Sequence, residues 1–288
     1  MDIQSIQAFL KVSELGSFSR AAEELFITQP AVSKRIQSLE NSLNTTLFDR
    51  IGKRVQLTEA GLALMPNYLR IIEALNESHR IISNLREKTS GVLKLATSHH
   101  IGLHRLPPVL KQYSQIFPDV TLELQFMDSE QATQLVLQGE IELGIITLPS
   151  LPDERLSLQK VWHDPMHCVV SNDHDLAKIK NITHKQLLDE PSILPSSGTY
   201  TRGLINSALK NINQSNILME TNYLETIKAM VKIGLGWGVL PDTMLDESLV
   251  RLPLKKVKMY RELGAVFHQA RTRSSPANAL LKLLNQDN

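Results

Sequence analysis

The chain has 288 residues, 42% of them hydrophobic, and its 31 basic side chains nearly balance 30 acidic ones, for a net charge of +1. This length and composition allow two or three domains with apolar cores and exclude a disordered or fibrous protein. The first residues lack an export signal, and no run approaches the roughly 18 apolar residues of a membrane span. We therefore expect a cytoplasmic protein that does not act at a membrane.

Residues 17–35 predict two short helices joined by a tight corner. Ser17 is a candidate N-cap for the first helix, and Thr28 is a candidate N-cap for the second. Pro30 falls in the first turn of the second helix, where its missing N–H is tolerated. This arrangement is typical of a helix-turn-helix, which places one helix in a DNA groove.

The second helix has an apolar face and a polar, basic face. Val32, Ile36, Leu39 and Leu43 form the apolar stripe at the period of an α-helix, and the polar side chains point away from it. Gln and Ser on such a face reach base edges, and Lys or Arg reaches bases or phosphates. An ordinary amphipathic surface helix is the alternative interpretation of this pattern.

Five short motifs follow one another over residues 1–61. They are Phe18-Ser19-Arg20-Ala21-Ala22, Gln29-Pro30-Ala31-Val32-Ser33, Leu39-Glu40, Leu47-Phe48-Asp49-Arg50 and Leu57-Thr58-Glu59-Ala60-Gly61. In this order they resemble the LysR-type transcriptional regulators of bacteria. The later segments are laid out like the effector domain of that family, so the resemblance extends over the whole chain.

The resemblance implies an α/β protein with an N-terminal, all-α winged helix-turn-helix and a two-lobed effector domain similar to periplasmic binding proteins. We expect the DNA-binding domain at residues 1–58, a dimerisation helix and hinge at 59–90, and the effector-binding domain at 91–288. Its first lobe takes about 91–162 plus 266–288, and its second lobe about 163–265.

The expected partners are double-stranded promoter DNA, a small-molecule effector, and further copies of the chain in a homodimer and a homotetramer. By the resemblance, candidate DNA-binding residues lie in the recognition helix and in the wing. The recognition helix contributes Gln29, Pro30, Ser33, Lys34 and Arg35, and the wing contributes Arg50, Lys53 and Arg54.

A heptad-like stripe follows the DNA-binding segment. Positions 64, 68, 71, 75, 78, 82 and 85 are apolar except for Ser78, at the 4-3 spacing of a coiled-coil seam. The stripe favours pairing of two copies, which presents two DNA-binding heads to two half-sites; packing against its own domain is the alternative. Pro66 predicts a kink or a helix that restarts near it. Thr89-Ser90-Gly91 then supplies a hinge.

From residue 92 onward, short apolar runs alternate with helical periods. The predicted strands are 92–96, 120–126, 141–146, 167–170, 192–194, 216–219, 238–240 and 264–268, and the helices are 103–117, 131–137, 199–209, 224–233 and 277–284. This alternation predicts two lobes with parallel sheets and a cleft between them. The chain crosses between the lobes near 162–165 and 261–265, which makes a hinge.

Hydroxyl side chains recur where the predicted strands end, which is where α/β sheets bind ligands. Arg202 and the histidines are the only cations there, which favours a small anion. Asp128 does not suit an anion, and simple helix capping is the alternative role for each hydroxyl. The candidate effector-binding residues are Ser98, His99, His100, Ser129, Thr147, Ser197, Thr199, Thr201, Arg202 and Thr221.

The sequence predicts no metal, no cofactor and no catalytic residue. His100 and His104 are four residues apart, as are His163 and His167, but neither pair has a third ligand at a diagnostic spacing. The glycines at 234, 236 and 238 follow a helix and precede a strand, the opposite order to a nucleotide-binding loop. Cys168 is interpreted as a buried, inert thiol, with a redox sensor that pairs across subunits as the alternative.

Together these features predict a DNA-binding regulator, not an enzyme, controlled by a small anion between two lobes. A two-lobed small-molecule receptor shares the fold but has no use for residues 1–61. A cleft hydrolase needs a nucleophile with a positioned base, and only Ser98 beside His99 and His100 is a candidate.

Overall fold

The computed structural model describes residues 2–51, 54–84, 88–210, 212, 216–254 and 257–286. The chain forms two compact units, Met1–Ile82 and Ser83–Asn288. None of the helices in these described ranges combines the length and the apolar composition needed to cross a bilayer.

The first unit contains three short helices, a two-stranded hairpin and one long helix. They are α1 (Ile3–Leu15), α2 (Phe18–Glu24), α3 (Gln29–Leu43), β1 (Phe48–Ile51), β2 (Arg54–Leu57) and α4 (Glu59–Asn84). The side chain of Ser17 accepts a hydrogen bond from Arg20 N at 3.3 Å, which confirms it as the N-cap of α2. Thr28 is the N-cap of α3 and Pro30 lies in its first turn, but the Thr28 side chain makes no capping bond.

The core of the first unit confirms the predicted apolar face of α3. Val32, Ile36 and Leu39 are buried. Glu40, on the same helix, accepts hydrogen bonds from Leu47 N at 2.7 Å and from Phe48 N at 3.3 Å. This carboxylate therefore fixes the start of the hairpin to the second half of α3.

The predicted heptad stripe lies on the long helix α4 and has a buried part and an exposed part. Tyr68 is buried against the ring of Phe9, with ring centroids 5.2 Å apart, so this part of the stripe packs on its own domain. Ile71 and Ile82 are exposed, and position 85 lies outside the described residues. The helix continues through Pro66, so the predicted restart is wrong, and the alternative, a kink at Pro66, stays a prediction.

The second unit is built on one sheet, whose strands are β3 (Gly91–Thr97), β4 (Val120–Phe126), β5 (Leu143–Thr147), β6 (Leu156–Ser171), β7 (Ser192–Leu194), β8 (Ile217–Glu220), β9 (Trp237–Pro241), β10 (Leu249–Arg251) and β11 (Met259–His268). Within the described residues this sheet has nine strands in the order β4-β3-β5-β11-β6-β9-β7-β8, and β10 pairs with β6. Its helices are α5 (His99–His104), α6 (Leu106–Ile116), α7 (Ser129–Gln138), α8 (His184–Asp189), α9 (Tyr200–Ala208), α10 (Leu224–Lys232) and α11 (Ser275–Gln286).

Strands β6 and β11 run antiparallel to each other through both lobes of this unit. Val161 and Leu263 belong to the core of the first lobe, whereas Met166 and Met259 belong to the core of the second. The change from one core to the other therefore lies between residues 161 and 166 on β6 and between 259 and 263 on β11, and the predicted lobe bounds stay predictions. The first lobe also contains β3–β5, α5–α7 and α11, and the second contains β7–β10 and α8–α10.

Three predictions about these elements are corrected by the structure. The sheet is mixed, because β11 runs antiparallel to β5 and β6 runs antiparallel to β9. The predicted 167–170 strand is the end of the 16-residue β6. The predicted 103–117 helix is two helices, because Pro107 and Pro108 lack N–H groups and favour a new helical start at Leu106.

Candidate functional site

The outward face of α3 is the candidate DNA-binding surface. Gln29, Pro30 and Lys34 are exposed, and Ser33 and Arg35 are partly exposed. Gln29 Nε2 donates to Ser33 Oγ at 2.9 Å, and Arg35 Nη2 donates to Gln4 Oε1 at 2.7 Å. Neither Lys34 nor Arg35 is in a salt bridge with any residue that the structure describes, and Lys34 is exposed.

The hairpin that follows has the position of a wing. Strands β1 and β2 pair antiparallel, with Arg50 opposite Val55 and Ile51 opposite Arg54. Lys53 lies outside the described residues, as do the side chains of Arg50 and Arg54. Their predicted roles in binding DNA therefore stay predictions.

The second unit contains a cleft of about 260 Å³ between its two lobes. Seven predicted effector residues line it: Ser98, His99, His100, Ser129, Thr147, Thr199 and Thr201. The predicted residues Ser197, Arg202 and Thr221 do not line it. Residues of the cleft that are absent from the predicted effector-binding set include Arg261, Glu130, Asn222 and Tyr223.

Arg202 is a structural residue rather than the cation of the cleft. It is 2% exposed, and its Nη1 donates to Pro195 O and to Glu220 Oε1, both at 2.8 Å. Its Nε donates to Asn206 Oδ1 at 3.0 Å. The prediction placed it in the cleft because it follows β7, but its position on α9 directs the guanidinium toward β8.

Arg261 is the one arginine or lysine among the described residues that line the cleft. Its Nε donates to Asp164 Oδ2 at 3.0 Å, and the two residues are register neighbours on the crossing strands. Arg105 Nη2 donates to the other carboxylate oxygen, Asp164 Oδ1, at 3.1 Å. Asp164 is fully buried, so two guanidinium groups share one buried carboxylate and the three residues together carry one excess positive charge.

Two carboxylates in the cleft accept hydrogen bonds across the lobes. Asp128 Oδ2 accepts from Asn222 Nδ2 at 2.7 Å, and Glu130 Oε1 accepts from Tyr200 N. Tyr200 also donates through its hydroxyl to Thr133 Oγ1 at 3.2 Å. Asp128 is the N-cap residue of α7 in the first lobe, and Glu130 lies in the first turn of that helix. Asn222 and Tyr200 belong to the second lobe, so these bonds hold the lobes together beside the cleft.

Helix capping explains some of the hydroxyls in the cleft but not all of them. Thr199 is a true cap of α9, because its Oγ1 accepts from Arg202 N at 3.1 Å. Ser98 is the N-cap residue of α5, yet its side chain makes no capping bond. Ser129 Oγ accepts from Thr147 N at 3.2 Å and keeps its O–H to donate. Ser98 and Ser129 therefore have hydroxyl hydrogens to offer a ligand.

His100 is buried at the edge of the cleft. Burial lowers its pKa to about 4, with further lowering by Arg261 and His104 and opposing contributions from Asp164 and Glu225. The ring is therefore neutral near pH 7. This neutral ring lies at the end of α5 that faces Glu225, whose Oε1 is 3.7 Å from His100 Nδ1.

Cys168 lies in the core of the second lobe. Its side chain is 2% exposed, and burial raises the pKa of the thiol to about 12. A protonated, inaccessible thiol is a poor nucleophile. This environment supports the inert role predicted from the sequence.

Both parts of the chain match known protein families. The model of the bacterial regulatory helix-turn-helix protein, lysR family, matches residues 3–62, and the LysR substrate binding domain matches residues 86–288. The uncharacterized HTH-type transcriptional regulator YwqM of Bacillus subtilis is 29% identical over 291 residues, covering 98% of each protein. A probable RuBisCO transcriptional regulator of Synechocystis is 30% identical over 291 residues, covering 97% of this chain and 84% of the relative.

Solved structures of full-length regulators share the fold. A full-length OxyR variant from Pseudomonas aeruginosa gives a TM-score of 0.71 at 20% identity and covers 99% of this chain and 98% of its own. Full-length CbnR in complex with its target DNA gives a TM-score of 0.67 at 18% identity, with both chains fully covered. These matches confirm the predicted fold class.

Proposed function

Because the chain belongs to the LysR family of DNA-binding transcriptional regulators with an effector-binding domain, we propose that a small anion bound in its cleft controls its binding to promoter DNA. The main support for an anion as the effector is the Arg261 guanidinium, which lines the cleft. Members of this family are regulators rather than enzymes, so the proposed control requires binding of the effector and no covalent chemistry.

The charges around Arg261 favour an anion. Arg105 and Arg261 contribute two positive charges against the single negative charge of Asp164. A charge that is buried away from water attracts an opposite charge more strongly than a charge at the surface does. Asp128 and Glu130 also line the cleft, and each uses one carboxylate oxygen to accept a hydrogen bond, from Asn222 and from Tyr200.

Hydroxyl groups from both lobes complete the proposed anion site. Ser98 and Ser129 belong to the first lobe, and Thr201 Oγ1 of the second lies 3.5 Å from Arg261 Nη1. A ligand that contacts both lobes stabilises the arrangement in which its donors converge. A preference of a few kcal/mol for that arrangement couples effector binding to DNA binding.

Calorimetric titration of the purified chain tests the anion proposal. The probes are inorganic sulfate, inorganic phosphate, and a series of mono- and dicarboxylates, with uncharged analogues of the same size. We expect Ser98→Ala to weaken binding of the preferred anion by about tenfold or more, because a hydrogen bond to a charged group is lost.

The matched control is Ser114→Ala. Ser114 is an exposed serine of the same lobe whose hydroxyl donates to Leu110 O of its own helix, so this variant keeps the affinity of the unmodified chain. Preference for the uncharged analogues, or equal affinity of the two variants, contradicts an anion at this site.

For DNA, we propose that the exposed face of α3 reads base edges and that the hairpin contacts the backbone beside it. The support is the exposure of Gln29, Pro30 and Lys34 and the absence of an acidic partner for Lys34 among the described residues. Ser33 and Arg35 flank this face, and Arg50, Lys53 and Arg54 are the proposed wing contacts. The chain then acts in the cytoplasm, where bacterial DNA lies.

We also propose that residues 59–90 join the DNA-binding residues 1–58 to the effector-binding residues 91–288 and pair two copies into a homodimer, which associates further into a homotetramer. Exposed apolar side chains along α4 support the pairing, namely Leu62, Ile71, Ile81 and Ile82. Sedimentation equilibrium tests it: Ile82→Lys shifts the mass toward the monomer, whereas an unchanged mass distribution contradicts pairing through this face.

A further inference from the structure

Two histidines and a glutamate converge at the edge of the cleft. His100 and His104 lie one turn apart on α5, with ring centroids 4.9 Å apart. Glu225 Oε1 is 3.0 Å from His104 Nε2 and 3.7 Å from His100 Nδ1. One ligand atom from each residue lies within 4.8 Å of the other two. We call these three residues the His-Glu cluster.

The spacing of these atoms suits a tetrahedral metal ion. Zinc binds histidine nitrogen and carboxylate oxygen at about 2.0–2.2 Å, so adjacent ligand atoms of a tetrahedral site lie about 3.3 Å apart. The two distances from Glu225, 3.0 Å and 3.7 Å, bracket this separation. His104 and Glu225 are 41% and 33% exposed, so their side chains have room to rotate toward an ion.

A buried group without a partner points to a ligand at this place. His100 is 4% exposed, and neither of its ring nitrogens has a hydrogen-bond partner among the described residues. Glu225 Oε2 is also buried without a partner in that part of the chain. Buried polar atoms almost always find a partner. A simple ion pair between His104 and Glu225 leaves both ring nitrogens of His100 without a partner, whereas a metal ion gives one of them a partner.

We propose that the His-Glu cluster binds a divalent transition-metal ion, with Zn²⁺ as the best-matched ion, and that this ion links the two lobes. Two imidazoles and one carboxylate are a ligand set that zinc accepts, and Co²⁺ and Ni²⁺ suit the same donors. Three protein ligands leave a fourth position for water or another small ligand.

The ligands belong to different lobes. Helix α5 packs into the core of the first lobe through Ile101, and α10 packs into the second through Leu224 and Ile227. A bound ion therefore stabilises the arrangement in which α5 and α10 approach each other. The site itself is independent of the anion proposal, whereas a role for the ion in regulation rests on that proposed function.

Titration of the full chain with ZnCl₂ alone tests this site. The protein is first stripped with a chelator and dialysed, and neither DNA nor anionic effector is added. We expect one ion per chain, and we expect Glu225→Gln and His104→Ala each to weaken binding by at least about tenfold, since loss of even an outer hydrogen-bond partner costs that much. Circular dichroism confirms that these variants fold.

His163→Ala is the matched control. The His163 side chain is 57% exposed, and its Nδ1 lies 3.3 Å from Glu262 Oε1. It therefore forms a histidine–glutamate pair away from the cluster. This variant should bind Zn²⁺ as the unmodified chain does. Absence of binding, binding that both cluster variants retain, or an equal loss in the His163 variant overturns the proposal.

Co²⁺ provides a second readout on the same proteins. A tetrahedral site gives strong visible absorption bands, and these should disappear in the Glu225→Gln variant. The weak spectrum of octahedral Co²⁺ in the unmodified chain contradicts the site. Because no anion is present, a failure of the anion proposal leaves these results unchanged.

Discussion

The contact of Glu40 with the start of the hairpin predicts a measurable local stabilisation. Glu40 Oε1 accepts from Leu47 N at 2.7 Å and from Phe48 N at 3.3 Å, and Leu47 is fully buried. A hydrogen bond to a charged acceptor contributes about 1.5–3 kcal/mol, and the longer second bond contributes about 1 kcal/mol or less. We therefore expect Glu40→Ala to reduce the stability of this region by about 2–4 kcal/mol.

Hydrogen–deuterium exchange measured by mass spectrometry reports this loss for the hairpin alone. A loss of about 2–4 kcal/mol corresponds to exchange roughly 30 to 700 times faster in the peptide that covers residues 44–57. Glu40→Gln keeps an acceptor oxygen and should give a smaller increase, and the exposed Glu24→Ala serves as the control. Exchange within threefold of the unmodified chain in Glu40→Ala refutes the reasoning.

Three further predictions concern His100, Cys168 and Phe26. The folded-state pKa of His100, about 4, lies below its ordinary value of 6.5, so its contribution to stability is complete above pH 6.5 and is lost as the pH falls toward 4. Urea unfolding of the metal-free protein should show that its free energy of unfolding falls by up to about 3 kcal/mol over this pH range. The fall should be smaller in His100→Gln, and the same pH dependence in both proteins contradicts this role of His100. Cys168 should react with a thiol reagent roughly a thousandfold more slowly in the folded chain than after denaturation, and a prompt reaction or an oxidised dimer supports the redox alternative. Phe26 is 94% exposed with φ of 54°, so Phe26→Asn should stabilise the first unit by about 1 kcal/mol in thermal unfolding, and a lower melting temperature argues against backbone strain there.

Local patterns in the sequence predicted much of the fold. The apolar period of α3 and the cap at Ser17 depend on residues a few positions apart, and both agree with the structure. The strands at 120–126 and 192–194 have the predicted bounds. In each case the physical cause is local, because the spacing of apolar residues within one helix or strand determines which of its side chains are buried.

Contacts between distant segments were not predictable in the same way. Arg261 reaches the cleft from the middle of a strand, whereas the residues predicted for the cleft follow the ends of strands. Asp164, its partner, is 97 positions earlier in the chain. Glu225 joins His104 across 121 positions, which is why no third metal ligand was visible by spacing. The missed break before Pro107 was local, and the proline pair is the signal that should have revealed it.

Binding of the full chain to a duplex that it selects from a random-sequence pool tests the central claim most directly. Fluorescence anisotropy at several salt concentrations gives the affinity and its salt dependence. We predict that Lys34→Ala weakens binding and lowers the slope of log affinity against log salt by about 1, whereas the exposed Lys111→Ala changes neither. Identical affinity and slope for the unmodified chain, Lys34→Ala and Lys111→Ala contradict recognition of DNA by the exposed face of α3.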